Sequence, residues 1–382
     1  MLVYALRSAL RHRFGEVYIA AQKTFAGDCH YRSDQITVNR SADFQKKYVY
    51  HVQNGYGSSQ TWQFIATPPL RLGGILAFLG LESKDKDEED SVVTTIKRGI
   101  LAFQRKDYKK AERMLHLALK MSQERMDTQA ETYCFDLLAD IALAHGDLDK
   151  AEKLYVEVMR RLIISGTAKD DNAIIEISAK LANVFSKRHD DKKAEQGYQF
   201  CIDTQEKKLG ELIKNFNNVS FTPEEKNSVA LWGMCMDWYS KHLISRGKYA
   251  YARSLLSQSL EVSRKIFGES HEQTLVVKND LALVNTMLKD YKESIRILEE
   301  IIGLDSVEQS EDLPAFLCNL GENYIKNGDF DKAQECCERA KELAKKQNNE
   351  MAIEVAESCL GEIQQKRKES SRDKNATSNG RK

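Results

Sequence analysis

The chain has 382 residues, enough for one long repeat domain or for two ordinary domains. Its 57 Lys and Arg residues balance 57 Asp and Glu residues, which gives the chain as a whole no attraction for nucleic acid or an anionic membrane. Charged residues make up 30% of the chain and only four residues are Pro, a composition that suits long surface helices.

The eight cysteines show no metal-site spacing. None forms a C-x-x-C pair, and no His lies at zinc-finger spacing from two of them. Because several fall on apolar faces, we expect reduced core cysteines in a reducing compartment. They are Cys29, Cys134, Cys201, Cys235, Cys318, Cys336, Cys337 and Cys359.

The first fifteen residues contain three arginines and no acid. Apolar side chains recur there every four residues, which places them on one helix face. An amphipathic, Arg-bearing and acid-poor start is typical of a mitochondrial transit peptide, so we predict a targeting leader over residues 1–60. An ordinary surface helix is the alternative. The arginines are Arg7, Arg11 and Arg13, and the apolar face is Leu2, Leu6, Leu10 and Phe14.

Residues 61–90 combine a short apolar segment with an acidic linker. The apolar stretch 70–81 would span only about 18 Å as a helix, less than the roughly 30 Å hydrocarbon core of a bilayer. Extending it back to Trp62 adds length but takes in two prolines, and the segment also contains Arg71. Residues 62–81 are therefore a candidate membrane anchor, with a buried or interfacial helix as the alternative. Six acids in residues 82–90 predict a solvated linker.

Internal repetition is the strongest feature of the remaining sequence. In residues 317–345, Gly321 and Ala333 let two antiparallel helices approach closely, and Leu317 and Tyr324 fill the space around them. The same frame recurs six times, which predicts an all-α tetratricopeptide repeat superhelix of about six helix–turn–helix units over residues 91–365. The small residues of the six second helices are Ala111, Ala151, Ala194, Ala252, Ser294 and Ala333.

The spacing of the units exceeds the usual 34 residues or so, which predicts long helices. The longest step, from Ala194 to Ala252, contains an irregular stretch at 215–221 that we assign to a loop. A Thr-Pro-Glu-Glu sequence at 222–225 is then an N-cap signature for a long helix from Pro223. Residues 351–364 predict a terminal capping helix, and residues 366–382 a disordered polar tail.

The first helix of each unit is expected to line a concave groove that binds a partner. Asn side chains suit such a groove because one amide can donate to and accept from a peptide backbone, so Asn183 and Asn279 are the main candidates. Solvated side chains are the alternative for every position. The predicted groove residues are Tyr133, Asp136, Asp140, Glu176, Asn183, Lys187, Asp237, Lys241, Asn279, Met287, Glu322 and Lys326.

Catalysis finds little support in the sequence. There is no phosphate-binding loop, no H-E-x-x-H and no G-x-S-x-G motif. The polar run at 189–191 falls in a turn between helices, where solvated residues are expected. We therefore predict a non-catalytic scaffold without cofactor or metal.

Four stretches resemble the mitochondrial tetratricopeptide repeat domain protein 19 family. The most specific is DNAIIEISAKLA at 171–182, because the repeat frame does not require it. The others are GYQFCI at 197–202, GMC at 233–235 and GESHEQT at 268–274. The resemblance covers about residues 91–365, and the sequence departs from the family across most of residues 1–65.

The resemblance implies a protein of the mitochondrial inner membrane with its repeats facing the matrix. It implies association with respiratory complex III subunits, including the Rieske iron–sulfur protein, in assembly and maintenance of the complex. It also implies a role in clearing the amino-terminal fragments of the Rieske subunit.

Two other functions remain open from the sequence. The stretch 268–281 and the steps near 42 residues also resemble kinesin light chain repeats, which would imply a cytoplasmic cargo adaptor. No sustained heptad precedes the repeats to support that reading. A protease acting on the fragments is the third alternative, although no nucleophile with a matching base is visible.

Overall fold

The computed structural model describes residues 90–216, 220–308 and 310–379. Within them the protein is all-α, with fourteen helices and one 3₁₀ turn at Asp305–Val307. The predicted leader, the candidate anchor and all of the acidic linker except Asp90 lie outside the described residues. The helices are α1 Ser91–Gln104, α2 Tyr108–Glu124, α3 Thr128–His145, α4 Leu148–Ile164, α5 Asn172–Lys187, α6 Asp191–Leu209, α7 Glu211–Lys214, α8 Pro223–Ser245, α9 Tyr249–Phe267, α10 Glu272–Met287, α11 Tyr291–Ile302, α12 Leu313–Asn327, α13 Phe330–Lys346 and α14 Glu350–Asn379.

Twelve of these helices form six antiparallel pairs, each packed on the next. The pairs are α1–α2, α3–α4, α5–α6, α8–α9, α10–α11 and α12–α13, and α14 packs on both α12 and α13. This arrangement confirms the predicted repeat architecture and the capping helix. The short α7 follows α6 and ends just before the predicted loop at 215–221, of which residues 217–219 lie outside the described residues.

The turn inside each pair has a common local cause. In five of the six pairs, a residue with positive φ is followed by an Asp at the N-cap of the second helix. At Gly146 the φ is 86°, and the Asp147 carboxylate then accepts a hydrogen bond from the Lys150 backbone N–H at 3.0 Å. The left-handed residue reverses the chain, and in four of these five pairs the Asp carboxylate accepts a hydrogen bond from a backbone N–H of the new helix; Asp290 before α11 is the exception.

The long helix α8 begins as its sequence predicts. Thr222 is the N-cap, its hydroxyl accepts from the Glu225 backbone N–H at 3.2 Å, and the Glu225 carboxylate accepts from the Thr222 N–H at 2.8 Å. This reciprocal pair is a capping box, with Pro223 in the first turn. From Ser228 onward α8 is buried on nearly all sides, because it contacts α5, α6 and α9.

Small residues lie where the helices cross. The six predicted second-helix positions are all fully buried, which confirms the repeat register. Two glycines allow still closer approach. A Cβ at Gly197 would lie 2.8 Å from the Ala182 Cβ, and one at Gly321 would lie 2.5 Å from the Cys337 Sγ. Neither position can take a side chain without movement of its neighbour.

The core runs along the length of the described repeats. Three apolar clusters follow one another, from α1–α3 through α3–α5 to α5–α14. Phe135 and Leu154 pack against both of the first two clusters and join them. No unit buries its apolar surface alone, so the stability of each depends on its neighbours.

The cysteines correct one expectation. Cys134, Cys201, Cys235 and Cys318 are free and buried, and Cys336 is free and half-buried. Cys337 of α13 and Cys359 of α14 form a disulfide, so the prediction of reduced cysteines is wrong for this pair. Their Cα atoms are 6.3 Å apart, within the range that a disulfide bridges. Sequence alone could not show that α14 folds back onto α13 at this point.

The last helix is longer than the predicted capping segment at 351–364. It continues through residues that the sequence assigned to a disordered tail and ends at Asn379. Side-chain pairs support its exposed part: the Gln365 amide donates to Glu369 at 3.0 Å, and Lys366 pairs with the same carboxylate at 3.3 Å. Among the described helices, none combines the length and the apolar character that a membrane span requires.

Candidate binding face of the first helices

The first helices of the units lie side by side. α1 touches α3, α5 touches α8, and α10 touches α12. Ion pairs described below join α3 to α5 and α8 to α10, so the contact continues from unit to unit. We call the surface of α3, α5, α8, α10 and α12 the first-helix face. All twelve predicted groove residues lie on these five helices.

Lys180 of α5 is the centre of a charged cluster on this face. Its side chain is completely buried, and its Nζ lies 2.7 Å from Asp136, 3.1 Å from Asp140 and 3.2 Å from Glu176. The two aspartates come from α3, one turn apart, so the cluster crosses from one unit to the next. The Tyr155 hydroxyl donates to Asp140 at 2.7 Å.

The Lys180 cluster brings together three of the predicted groove residues. A buried ammonium is stable only when paired and hydrogen-bonded, and three carboxylates meet that need. Three negative charges around one positive charge leave the cluster with a formal charge of about −2. Asp140 is itself buried, so it supports the cluster from within, whereas Asp136 and Glu176 reach the surface.

A second charged cluster joins α8 to α10. The Lys241 Nζ lies 2.7 Å from Asp237 in its own helix and 3.5 Å from Asp280 in α10. Asp237 is fully buried, and Lys241 and Asp280 are each mostly buried. Burial alone would lower the pKa of Lys241, but the two carboxylates outweigh it and the pKa lies above its ordinary value.

Asp280 is the group of this cluster whose pKa is shifted toward the physiological range. Burial raises the pKa of Asp280 to about 6, against the lowering effect of Lys241, and the nearby Asp237 charge adds to the rise. Near neutral pH the cluster therefore holds two carboxylates and one ammonium. Its formal charge becomes neutral when Asp280 takes up a proton.

An amide ladder continues the face toward the last unit. The Asn319 Nδ2 donates to Asn279 Oδ1 at 2.8 Å, and the Asn323 Nδ2 donates to the Asn319 carbonyl at 2.8 Å. The Thr286 hydroxyl donates to Asn323 Oδ1, also at 2.8 Å. Asn279 and Asn319 remain half-buried, so each amide keeps a side toward the surface.

The other predicted residues occupy less crowded places. Asn183 of α5 is half-buried, one turn beyond Lys180, and Lys187 at the end of α5 is exposed. Met287 and Tyr133 are half-buried, the latter against the core cluster of the first units. Glu322 and Lys326 form an i,i+4 ion pair at 3.1 Å on α12.

Sequence reasoning missed Lys180, Asp280 and Asn319. The i,i+4 spacing of Glu176 and Lys180 was a signal, since such pairs meet on one helix face. Nothing local showed that Lys180 would be buried, because that depends on two aspartates of the preceding unit. The link between Lys241 and Asp280 likewise depends on how α8 and α10 pack.

The chemistry of this face suits binding. It presents carboxylates, lysines and amides in positions fixed by neighbouring helices, which can engage a peptide through ion pairs and backbone hydrogen bonds. No group of three or more metal-ligating side chains is assembled in the residues that the structure describes.

Comparison with known proteins agrees with this architecture. Tetratricopeptide repeat family models match residues 235–305 and 314–347. The tetratricopeptide repeat protein 19 homolog of Drosophila melanogaster, named as mitochondrial, is 30% identical over 326 residues, covering 85% of this chain and 84% of the relative. The chain belongs to the tetratricopeptide repeat protein 19 family. The human member, also named as mitochondrial, is 29% identical over 280 residues, which are 73% of this chain and 74% of the human protein.

Membership in this family makes the protein a tetratricopeptide repeat scaffold, a class that mediates protein–protein interactions. Among solved structures, the apo form of RapI superposes with a TM-score of 0.50 at 13% identity, covering 80% of this chain and 77% of RapI. At that identity the likeness concerns the fold alone. It agrees with the stacked helix pairs of the described residues.

Proposed function

We propose that this protein is a non-catalytic mitochondrial scaffold at the matrix side of the inner membrane. In this proposal it binds respiratory complex III, supports assembly and maintenance of the complex, and helps to clear amino-terminal fragments of the Rieske subunit. The observation that carries the proposal is family membership over 85% of the chain. The Arg-bearing leader agrees with a mitochondrial address.

The first-helix face is the proposed binding surface. A half-buried amide held by its neighbours loses little freedom when it pairs with a peptide backbone, which favours binding. Asn183 and Asn279 lie on this face, and the Asn279–Asn319 hydrogen bond fixes one of them in position. The proposed partner is an extended segment of a complex III subunit.

The test replaces both asparagines, Asn183→Ala with Asn279→Ala, in a tagged full-length chain. Each lost hydrogen bond should cost about 0.5–1.5 kcal/mol, so binding should weaken about five- to a hundredfold. The measurements are recovery of complex III subunits and the steady level of Rieske amino-terminal fragments in cells lacking the wild-type protein. Reduced recovery together with accumulated fragments is expected.

Two controls make this result interpretable. Asn327→Ala changes an exposed asparagine at the end of α12 and should leave recovery unchanged. A melting curve must accompany each variant, because Asn279→Ala also removes a partner of Asn319. Normal recovery and normal clearance with the double variant would move the binding surface away from these amides.

Localisation has its own test. Residues 1–60 fused to a fluorescent protein should carry it into mitochondria. Diffuse cytosolic fluorescence would contradict the targeting part of the proposal.

A further inference from the structure

The first unit differs in charge from the neutral chain as a whole. Residues 97–120 contain eight Lys and Arg residues and two acids, a formal net charge of +6. Six of the cations are exposed and surround the turn between α1 and α2. We call these six the basic patch: Arg98, Arg105, Lys106, Lys109, Lys110 and Arg113.

The basic patch is compact. Arg98 lies seven residues before Arg105, so the α1 part extends about 10 Å from the turn, and Arg113 is at a similar distance along α2. Between the helices, Lys106 holds a positive φ of 59° and reverses the chain. The turn thus gathers cations from two helices at one end of the unit.

None of the six cations forms an ion pair with another described residue. The two acids of this region are engaged elsewhere: Asp107 accepts from the Lys110 backbone N–H at 3.1 Å as an N-cap, and Glu112 binds Lys150 of the next unit. In α4, by contrast, three of the four cations form ion pairs, namely Lys150, Arg160 and Arg161. The positive charge of the basic patch is therefore not neutralised within the described structure.

Apolar side chains stand among these cations. Leu101 is 47% exposed on the same face of α1 as Arg98 and Arg105, three and four residues away. Leu117 is also 47% exposed, one turn beyond Arg113 on α2. Exposed leucines beside free lysines and arginines are the composition of surfaces that lie at a membrane interface.

We infer that the basic patch docks on an anionic membrane surface and holds the first repeat against it. The lipid headgroups supply the negative charge, and Leu101 and Leu117 contact the upper part of the acyl region. In the sequence, the candidate anchor ends at Leu81, ten residues before α1 begins at Ser91. An anchored chain would keep this end of the repeats close to the headgroups.

The test uses the full-length chain and vesicles of two compositions. One is phosphatidylcholine alone, and the other contains about 30% phosphatidylglycerol. The patch variant combines Arg105→Gln, Lys106→Gln, Lys109→Gln and Lys110→Gln. The matched control combines Lys153→Gln, Lys192→Gln, Lys207→Gln and Lys292→Gln, which removes four exposed lysines from three other helices, α4, α6 and α11.

The wild type should prefer the anionic vesicles, and the preference should fall as salt rises from about 50 to about 500 mM. The patch variant should bind anionic vesicles about a hundred- to a thousandfold less tightly, since each of the four cations near the surface contributes on the order of 1 kcal/mol. The control should retain most of the preference. The leader and the candidate anchor are the same in the patch and control variants, so the difference between these two variants reports the basic patch.

Two outcomes would overturn the inference. Equal loss in the patch and control variants would show a response to total charge only. No preference of the wild type for anionic vesicles would show that the basic patch has another occupant. In that case the acids of the linker at 82–90 are neutralised and vesicle binding is measured again. If the chain now prefers anionic vesicles, the occupant of the basic patch is the linker. If it still does not, the occupant is an acidic protein surface.

Discussion

Two buried contacts between helices are held together in opposite ways. At Lys180, helices α3 and α5 meet through one ammonium and three carboxylates. At Gly321, helices α12, α13 and α14 meet through the absence of a side chain, with the sulfurs of Cys337 and Cys359 in the space. The first contact needs matched charge, whereas the second needs only shape.

The difference shows how one fold tolerates two kinds of interface. A charged contact fixes the relative position of two helices, because the carboxylates must lie beside the cation. Such a contact is destabilised when one partner is lost. Close packing is vulnerable to added volume instead. The two sites should therefore respond to different substitutions, and each response can be measured as a change in the free energy of unfolding.

The largest effect is expected at Lys180. Lys180→Met keeps the length of the side chain but removes the ammonium that pairs with both Asp136 and Asp140. The carboxylates would then repel one another in a buried site, and the free energy of unfolding should fall by about 3–5 kcal/mol. Denaturant titration followed by circular dichroism measures it.

Lys326→Met is the matched control for this substitution. Lys326 pairs with Glu322 in its own helix at 3.1 Å, and both side chains are partly exposed. Its loss should change stability by at most about 1 kcal/mol. If the two methionine variants were equally stable, the buried cluster at Lys180 would not be stabilising the α3–α5 contact.

A smaller effect is expected at the packed site. Gly321→Ala places a Cβ 2.5 Å from the Cys337 Sγ and should cost about 1–3 kcal/mol, even though alanine favours a helix. Gly361→Ala, in open space on α14, should instead stabilise by about 0.5–1 kcal/mol. The two alanines should therefore shift the melting midpoint in opposite directions.

Reducing the Cys337–Cys359 disulfide tests how this second prediction depends on the position of the sulfur. Once the disulfide is reduced, the Cys337 side chain can turn away from position 321, so the penalty for Gly321→Ala should shrink. The effect of Gly361→Ala should not depend on reductant. A penalty that is the same in both conditions would mean that the backbone of α13, and not the sulfur, sets the closeness of the helices.

The contrast also explains which parts of the structure the sequence could predict. Gly321 and Ala333 follow from the repeat frame, because a small residue at a fixed position implies a close crossing of helices. Thr222 predicts the start of α8 through local backbone chemistry alone. Helix caps depend on neighbouring residues in the sequence, and close helix crossings depend on positions that recur in every repeat unit.

The charged clusters and the disulfide could not be predicted in this way. From the sequence alone, Lys180 is expected to be a surface lysine of α5. Its burial depends on Asp136 and Asp140, which lie about 40 residues earlier in the chain. Cys337 and Cys359 are 22 residues apart and meet only because α14 packs back on α13. The predicted groove residues lie on the first helices of the units, while the partners that orient several of them were missed.

The smallest expected change in the free energy of unfolding is its dependence on pH, which concerns the cluster at Lys241 and not the one at Lys180. Asp280, with a pKa raised to about 6, binds its proton more tightly in the folded state than in the unfolded chain, where its pKa is about 3.9. Between about pH 4 and pH 6 the folded state therefore holds more protons at this site. By linkage, the contribution of Asp280 to stability is greatest at the acid side of this window and decreases as pH rises through it. Asp280→Asn removes this dependence.

The measurable quantity is the difference in unfolding free energy between wild type and Asp280→Asn across pH. A rise of two pKa units, which already includes the attraction of Lys241 for the charged form, sets a ceiling of about 3 kcal/mol, and partial exposure of the Asp280 side chain to solvent reduces what is observed to about 1 kcal/mol. The wild type should lose about that much relative to the variant from pH 4 to pH 7, with no further change to pH 8. Other carboxylates titrate in both proteins, so their contributions cancel in the difference. A difference that stayed constant across this range would show that Asp280 keeps an ordinary pKa, and that Lys241 balances its burial as fully as the carboxylates balance Lys180.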